Sequence, residues 1–344
     1  MEARQTHIDA LKCIGSQLIV LHHFSAYGPL ADATALAAPA LMGWLYNDAR
    51  MAVQIFLVLG GYLALQSLEP LSTRPAADLA RSIWRRYVRL ALPFAAALLL
   101  ALACAALARS WLSADFIPAA PTASQLLAHV LLLHGVLGVE SLSAGIWYVA
   151  IDFQLYVLLA LLLWLGARSG LRHAAVLAVM LASLFHFNRD ASWDNWALYF
   201  FGSYGLGVAA HWAGLSARPR RWLGLLALGV LLALALDWRT RIALAGATAL
   251  LLGLAHLHAN SLHWPKGLAH ALALLGRSSY ALFLIHFPVL MLANALHAKL
   301  GLSGPAAGAI MLGLGWAASI ALAFVFERRV EAPLGRLFSS KRPV

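Results

Sequence analysis

Long apolar runs separated by short polar segments dominate the chain. Ten of them approach or reach the roughly 20 residues that a helix needs to cross a bilayer. They cover approximately residues 8–27, 50–68, 88–108, 146–166, 172–187, 196–214, 221–236, 241–259, 279–298 and 305–326. The pattern predicts an all-α fold, a polytopic membrane helix bundle with about ten transmembrane helices.

One further apolar segment, 125–138, is too short to cross a bilayer comfortably. Its length favours a re-entrant or interfacial helix in an outer loop. The distribution of basic residues supports this choice. With the N-terminus in the cytoplasm and 125–138 not crossing, 19 of the 25 Lys and Arg residues lie on the cytoplasmic side. A crossing by 125–138 would invert every later loop, so the positive-inside rule predicts that both termini are cytoplasmic.

Composition excludes a soluble globular enzyme. Hydrophobic residues make up 62% of the 344 residues and charged residues only 11%, whereas soluble domains carry roughly 25% charged residues. The net charge of +11 is spread over short clusters between apolar runs, so we expect no nucleic-acid partner. Cys13 and Cys104 fall inside apolar runs and are interpreted as packing residues. We expect a single domain over 1–344 with no fused soluble domain.

Ionisable residues inside the predicted spans are candidates for function, because burying them in a bilayer is costly. Lys12 and His23 are eleven positions apart, which places them on one helix face about 16 Å apart. Asp152 lies about six residues inside the fourth span. A packing ion pair for Asp152 and a core histidine at position 23 are the alternatives. The predicted orientation places His23, Gln54, Trp147 and Asp152 in the outer third of the membrane.

A second group of candidates marks the cytoplasmic side. Arg277, Tyr280 and His286 begin the ninth span there, as Lys12 begins the first. A basic mouth of this kind suits an anionic ligand such as a phosphate-bearing cofactor. We expect no metal site and no tightly bound cofactor, since the histidines show neither the usual metal-ligand spacing nor a clear facing pair for haem.

Five motifs in order along the chain resemble the acyltransferase-3 family of integral membrane acyltransferases. The first is IDALKCIGSQLIVLHHF, with a basic residue followed after ten positions by histidine, here Lys12 and His23. The second is VQIFLVLGGYLAL, where the family usually has Ser-Gly-Phe and this chain has Gly60, Gly61 and Tyr62. At Gly60 the chain therefore lacks the serine hydroxyl.

The other three motifs lie in the second half of the chain. IWYVAIDFQLY is similar to a Trp-x-x-x-x-Glu-x-Gln-x-Tyr pattern, with Asp152 in place of the glutamate. LGRSSYALFLIHFPVL resembles the family's ninth span, and FERRVEAPLGR resembles its closing Glu-x-Pro. The matching residues are Trp147, Gln154, Tyr156, Ser279, Tyr280, His286, Pro288, Glu331 and Pro333.

The resemblance implies a membrane-bound O-acyltransferase of the bacterial cytoplasmic (inner) membrane. Such an enzyme moves an acyl group, commonly acetyl, from cytoplasmic acyl-CoA to a hydroxyl of a surface or exported glycan. Its partners would be the bilayer, acyl-CoA as co-substrate, a glycan or glycolipid acceptor, and glycan-synthesis proteins. The family's first-span histidine is regarded as catalytic and its basic partner as necessary, which implies these roles for His23 and Lys12.

The residue chemistry fits this reaction. A neutral imidazole at His23 can take the proton of a sugar hydroxyl as it attacks the thioester. A hydrogen bond from Asp152 would orient that ring and stabilise the imidazolium, following the logic of a catalytic triad. Lys12, Arg277 and Tyr280 are the predicted cofactor-binding residues. Gln54, Trp147 and His286 are the predicted substrate-site residues.

Two other functions remain open at this point. A multi-span transporter, or a translocase of a glycan or an acyl-modified small molecule, would also place His, Lys and Asp within the membrane. The chain shows no paired Gly/Pro interruptions of the kind that mark inverted repeats. A scaffold for a polysaccharide-synthesis complex is the other alternative, because the missing serine at Gly60 is compatible with a degenerate site.

Overall fold

The computed structural model describes residues 6–258 and 263–338. This part of the chain forms α-helices joined by turns and short 3-10 helices, with no β-strand among the described residues. The all-α prediction is confirmed to this extent. Arg4, Lys341 and Arg342, which contributed to the predicted orientation, lie outside the described residues, as do the two ends of the predicted domain 1–344.

Each of the ten predicted spans overlaps an α-helix. In chain order the helices are α1 (Thr6–Ala26), α2 (Pro29–Ala37), α3 (Pro39–Asn47), α4 (Val53–Leu68), α5 (Ala76–Arg109), α6 (Ala123–Val130), α7 (Trp147–Arg168), α8 (Arg172–Phe185), α9 (Ala197–Leu215), α10 (Pro219–Leu236), α11 (Thr240–Leu257), α12 (Lys266–Arg277), α13 (Ser279–Lys299), α14 (Pro305–Phe326) and α15 (Ala332–Phe338). A π-helical turn, Glu327–Glu331, joins α14 to α15.

Seven helical segments within the described residues are long and apolar enough to cross a membrane. They contain α4, α5, α7, α10, α11, α13 and α14. Of the other three predicted spans, α8 has only 14 residues, and polar side chains lower the hydropathy of α1 and α9. The chain is therefore a membrane helix protein, while the count of ten and the orientation of the termini stay predictions.

Two predicted segments differ from the observed helices. The predicted third span, 88–108, is the second part of a 34-residue helix, α5, that already begins at Ala76. The predicted short helix 125–138 is helical only in α6, which ends at Val130, and turns follow. Leu132 in these turns has a φ of 58°, a left-handed conformation that cannot continue a helix. At about 12 Å, α6 is too short to cross a bilayer.

The chain folds into two compact units. The first comprises residues 1–12, 51–87 and 148–274. In it α9 packs against α4, α8, α10 and α11. Glycines allow α4 and α9 to approach closely, because a Cβ added at Gly61 or Gly207 would lie 1.9 Å from the backbone oxygen of Tyr204 or Val58, respectively.

The second unit comprises residues 13–50, 88–147 and 275–344. In its described part, α14 packs against α13 and α2. Asn294 on α13 holds the turn that follows α1: its Oδ1 accepts a hydrogen bond from the Leu30 amide at 3.0 Å, and its Nδ2 donates to the Tyr27 carbonyl at 3.3 Å. These bonds fix the end of α1 against α13, where the histidine of the first motif lies.

Candidate functional site

Two histidines from distant parts of the sequence form a buried pair in the second unit. Nδ1 of His23 on α1 lies 2.7 Å from Nε2 of His286 on α13. The two rings are nearly parallel, with an interplanar angle of 10° and centroids 4.8 Å apart. His286 is fully buried and His23 is 8% exposed. Both residues were predicted to belong to the site, but not to be partners.

The hydrogen-bond directions in this pair follow from one backbone carbonyl. Nδ1 of His286 lies 3.1 Å from the carbonyl oxygen of Leu282, which can only accept, so this nitrogen carries the proton. In the neutral ring Nε2 of His286 is then an acceptor, and Nδ1 of His23 donates to it. Nε2 of His23 is left unprotonated, and it has no hydrogen bond within the described part of the chain. The pair therefore presents one basic nitrogen.

The backbone at Gly145 packs against the His23 ring. Gly145 has a φ of 79°, and a Cβ built there would lie 3.2 Å from Cε1 of His23 and 3.3 Å from the Phe283 ring. Cε1 is bonded to both ring nitrogens, so Gly145 packs against the edge of the His23 ring that carries Nδ1 and Nε2. Gly145 was not among the residues predicted from the sequence. The feature that could have indicated it is a glycine just before the Trp147 motif.

Two of the predicted cofactor-binding residues hold the start of α13 in place. The Tyr280 hydroxyl donates to the backbone oxygen of Leu90 on α5 at 2.9 Å. Nε of Arg277 lies 3.2 Å from Oε1 of Glu327 in the π-helical turn, and Glu327 is buried while Arg277 is about half exposed. Lys12, the third predicted residue, is partly buried on α1, the same helix as His23. Their binding roles stay predictions.

In the first unit, Asp152 forms an ion pair with Arg86. Oδ2 of Asp152 on α7 lies 2.5 Å from Nη2 of Arg86 on α5, and the Asp152 side chain is 7% exposed. The guanidinium also lies over the ring of Tyr156, 5.2 Å from its centroid. The ion pair with a basic residue that the alternative for Asp152 requires is therefore present, while a role in packing alone stays a prediction. The predicted hydrogen bond from Asp152 to His23 stays a prediction.

Sequence reasoning also missed Arg86, because it assigned 76–87 to a cytoplasmic loop. The signal was available: residues 76–87 contain no Gly or Pro, and Arg, Ala and Leu are good helix formers. Arg86 then lies within α5, from which its side chain reaches Asp152.

The two glutamines of the motifs connect helices. Oε1 of Gln54 on α4 accepts a hydrogen bond from Ser203 on α9 at 2.6 Å, and Gln54 is buried. Oε1 of Gln154 on α7 accepts from the Ala197 amide at the start of α9 at 3.0 Å. Trp147 begins α7 and is partly exposed. The substrate-site roles predicted for Gln54 and Trp147 stay predictions.

A comparison with protein families identifies the chain. The family model described as an acyltransferase domain, Acyl_transf_3, matches residues 6–328. The chain belongs to the acyltransferase-3 family. A search of curated proteins finds no similar sequence. Because the match extends over α1 to α14 and into the π-helical turn, the predicted family is confirmed, although Glu331 and Pro333 of the fifth motif lie beyond the matched residues.

This acyltransferase-3 protein has Gly60 where the family's Ser-Gly-Phe pattern has serine, and Tyr204 and Asp152 surround that position. A Cβ at Gly60 would lie 3.0 Å from the Tyr204 ring and 3.6 Å from Oδ1 of Asp152. A serine at this position would thus point toward Asp152, and here the Tyr204 ring fills the adjoining space. The Tyr204 hydroxyl is buried and has no hydrogen-bond partner among the described residues. The next residue, Gly61, is required by the α4–α9 crossing.

A second histidine pair lies outside the spans, in the segment between α5 and α7. His129 and His134 stack with centroids 4.4 Å apart. His129 is held by the Gln125 carbonyl and the Leu142 amide, whereas His134 is buried with neither ring nitrogen hydrogen-bonded in the described chain. Burial and the neighbouring His129 lower the pKa of His134 to about 4. No group of three His, Cys, Asp or Glu side chains suited to a metal ion occurs within the described residues.

Proposed function

We propose that this protein transfers an acyl group, most simply acetyl, from cytoplasmic acyl-CoA to a hydroxyl of a surface or exported glycan, with His23 as the general base. The observation that carries the proposal is the state of the His23 ring. Its Nδ1 is held by His286, and its Nε2 keeps a lone pair that no described residue hydrogen-bonds. Membership of the acyltransferase-3 family supports the acyl-transfer chemistry.

The reaction follows from that lone pair. The acceptor hydroxyl gives its proton to Nε2 of His23 while its oxygen attacks the thioester carbonyl. The new C–O bond forms, the C–S bond breaks, and the leaving thiolate takes the proton back from the imidazolium as free thiol. The histidine returns to its neutral form. General base catalysis of this kind contributes about 10²- to 10⁴-fold to a rate.

The first helix also suggests how the donor reaches the base. Lys12 and His23 belong to the same helix, α1, and their eleven-residue separation corresponds to about 16 Å. A donor held by its phosphates near Lys12, on the predicted cytoplasmic side, could extend its thioester along α1 toward His23. Arg277 shares its guanidinium with Glu327, so its proposed role in binding the donor requires a cation that is already paired. The proposed location is the bacterial inner membrane.

The test is the acyl ester content of the host's surface glycans, measured by mass spectrometry. The strains are a gene deletion and the same deletion carrying wild type, His23→Ala or His22→Gln. His22 is the matched control, because it neighbours His23 but its Nδ1 bonds the Leu45 carbonyl. We expect ester in the wild-type and His22→Gln strains and none in the other two. Full ester with His23→Ala would refute the assigned base, and loss of the glycan itself would favour a translocase or scaffold.

A further inference from the structure

We propose that His286 is a positioning residue, which fixes the tautomer of His23 and shares the proton that His23 accepts during acyl transfer. This inference rests on the proposed function and assigns to a neutral histidine the orienting role that a carboxylate has in a catalytic triad. It replaces the substrate-site role predicted for His286.

The resting state of the pair supports this role because the donor and the acceptor of each hydrogen bond are fixed. The Leu282 carbonyl requires a proton on Nδ1 of His286, and this proton leaves Nε2 of the neutral ring as the acceptor for His23. The opposite tautomer of His23 would place two lone pairs against each other at 2.7 Å. His23 is therefore held with Nδ1 protonated and Nε2 basic.

The same contacts accommodate the charged state. When Nε2 of His23 takes the acceptor's proton, the bond from its Nδ1 to His286 becomes charge-assisted and stronger. The proton on Nδ1 can cross the 2.7 Å gap to Nε2 of His286, whose own Nδ1 still donates to the Leu282 carbonyl. Proton and charge return by the same path when the thiol leaves. The positive charge is thus spread over two rings that contact no carboxylate among the described residues.

The surroundings of His286 argue against direct substrate binding by this residue. Its side chain is completely buried, and both of its ring nitrogens are engaged, one with Leu282 and one with His23. His23, by contrast, has one nitrogen without a hydrogen bond in the part of the chain that the structure describes. Asp152, the residue first predicted to orient His23, has its carboxylate paired with Arg86 in the other unit. A second histidine is the orienting group that the contacts of His23 support.

The test compares three substitutions of His286 in the full-length purified protein. Radiolabelled acetyl-CoA is the donor probe, and the acceptor probe is the glycan fraction of the deletion strain. The glutamine amide oxygen can replace Nε2 as acceptor for His23, the asparagine side chain is too short, and leucine cannot accept. We expect kcat within about tenfold of wild type for His286→Gln and about 10²-fold lower for His286→Asn and His286→Leu. KM for acetyl-CoA should be unchanged in all three.

A second buried histidine on α13 supplies the control. His297 is 4% exposed and its Nδ1 has no hydrogen bond within the described residues, so His297→Leu should keep wild-type kcat. Equal losses in His286→Gln and His286→Leu, or a loss confined to KM, would overturn the positioning role. Wild-type activity in His286→Leu would overturn it as well. Absence of turnover in the wild-type protein itself would instead refute the proposed function.

Discussion

Asp152 on α7 is bound to Arg86 on α5 at 2.5 Å, although the two residues are 66 positions apart in the sequence. The pair lies within one unit and joins two helices. The buried Asp152 carboxylate is therefore already paired with the Arg86 guanidinium, which limits its availability to other hydrogen-bond partners. Removing one member of a buried ion pair leaves an uncompensated charge and is strongly destabilising.

This contact predicts how substitutions of the pair behave. We expect Asp152→Asn and Arg86→Gln each to destabilise the detergent-solubilised protein. Loss of the ion pair should lower the free energy of unfolding by about 3 kcal/mol. The double variant should lose less stability than the sum of the losses in the two single variants. A double-mutant cycle on the melting temperature measures this coupling. Undiminished stability of Asp152→Asn together with a loss of turnover would instead support the direct role predicted for Asp152 at His23.

The contact of Gly145 with His23 predicts a loss of activity on adding one methyl group. Gly145→Ala would press a Cβ against Cε1 of His23 at 3.2 Å and would strain a backbone with a φ of 79°. We expect kcat to fall by at least tenfold. Gly138→Ala is the control, because Gly138 has a φ of 62° in the same loop but open space around its Cβ. If both variants lose activity equally, backbone strain and not the His23 contact explains the effect.

The two glycines after Leu59 should differ sharply in tolerance. Gly61→Ala places a Cβ 1.9 Å from the Tyr204 carbonyl oxygen, so α4 and α9 must separate and the protein should fail to accumulate in membranes. Gly60→Ser meets only the edge of the Tyr204 ring, at 3.0 Å, and directs a hydroxyl toward Asp152. We expect it to fold and to retain at least half of the wild-type turnover. Normal accumulation of Gly61→Ala, measured by immunoblot of membrane fractions, would contradict the close helix crossing.

The lowered pKa of His134 predicts a pH-dependent stability. Its pKa of about 4 in the folded protein lies below the ordinary value of 6.5, so between these values the unfolded chain binds more protons. Stability should therefore fall as the pH decreases from about 6.5 toward about 4, and be unaffected above this window. His134→Leu should flatten the dependence of the melting temperature on pH. An identical pH profile in His134→Leu and wild type would show that His134 is not the titrating group.

The helices at the ten predicted spans could be predicted from the sequence because apolar run length is a local property, whereas α2, α3, α12 and α15 match no predicted segment. Each of the ten predicted spans overlaps an α-helix, including α8, which is only 14 residues long. The start of α5 could not be placed by apolar runs, since Arg81 and Arg85 interrupt the pattern but are compatible with a helix surface. The end of α6 depends on the left-handed turn at Leu132, which no residue preference indicates.

The sequence indicated candidate site residues, but it did not indicate which residues they contact. His23, His286 and Asp152 were identified from polarity within apolar runs and from motifs. The pairing of His23 with His286 spans 263 positions and depends on which helices pack together. Sequence spacing along one helix carries no information about that packing. For the same reason the sequence does not indicate the contact of Asp152 with Arg86, 66 positions away.

The role of His23 as the general base of an acyl transfer is tested by the turnover of purified full-length protein with radiolabelled acetyl-CoA and the glycan fraction of the deletion strain. The comparison is between wild type and His23→Gln, with KM for acetyl-CoA measured in both. We expect kcat to fall by at least about 10²-fold in the variant, whereas KM stays within about twofold. A His23→Gln protein with kcat within tenfold of wild type would contradict it.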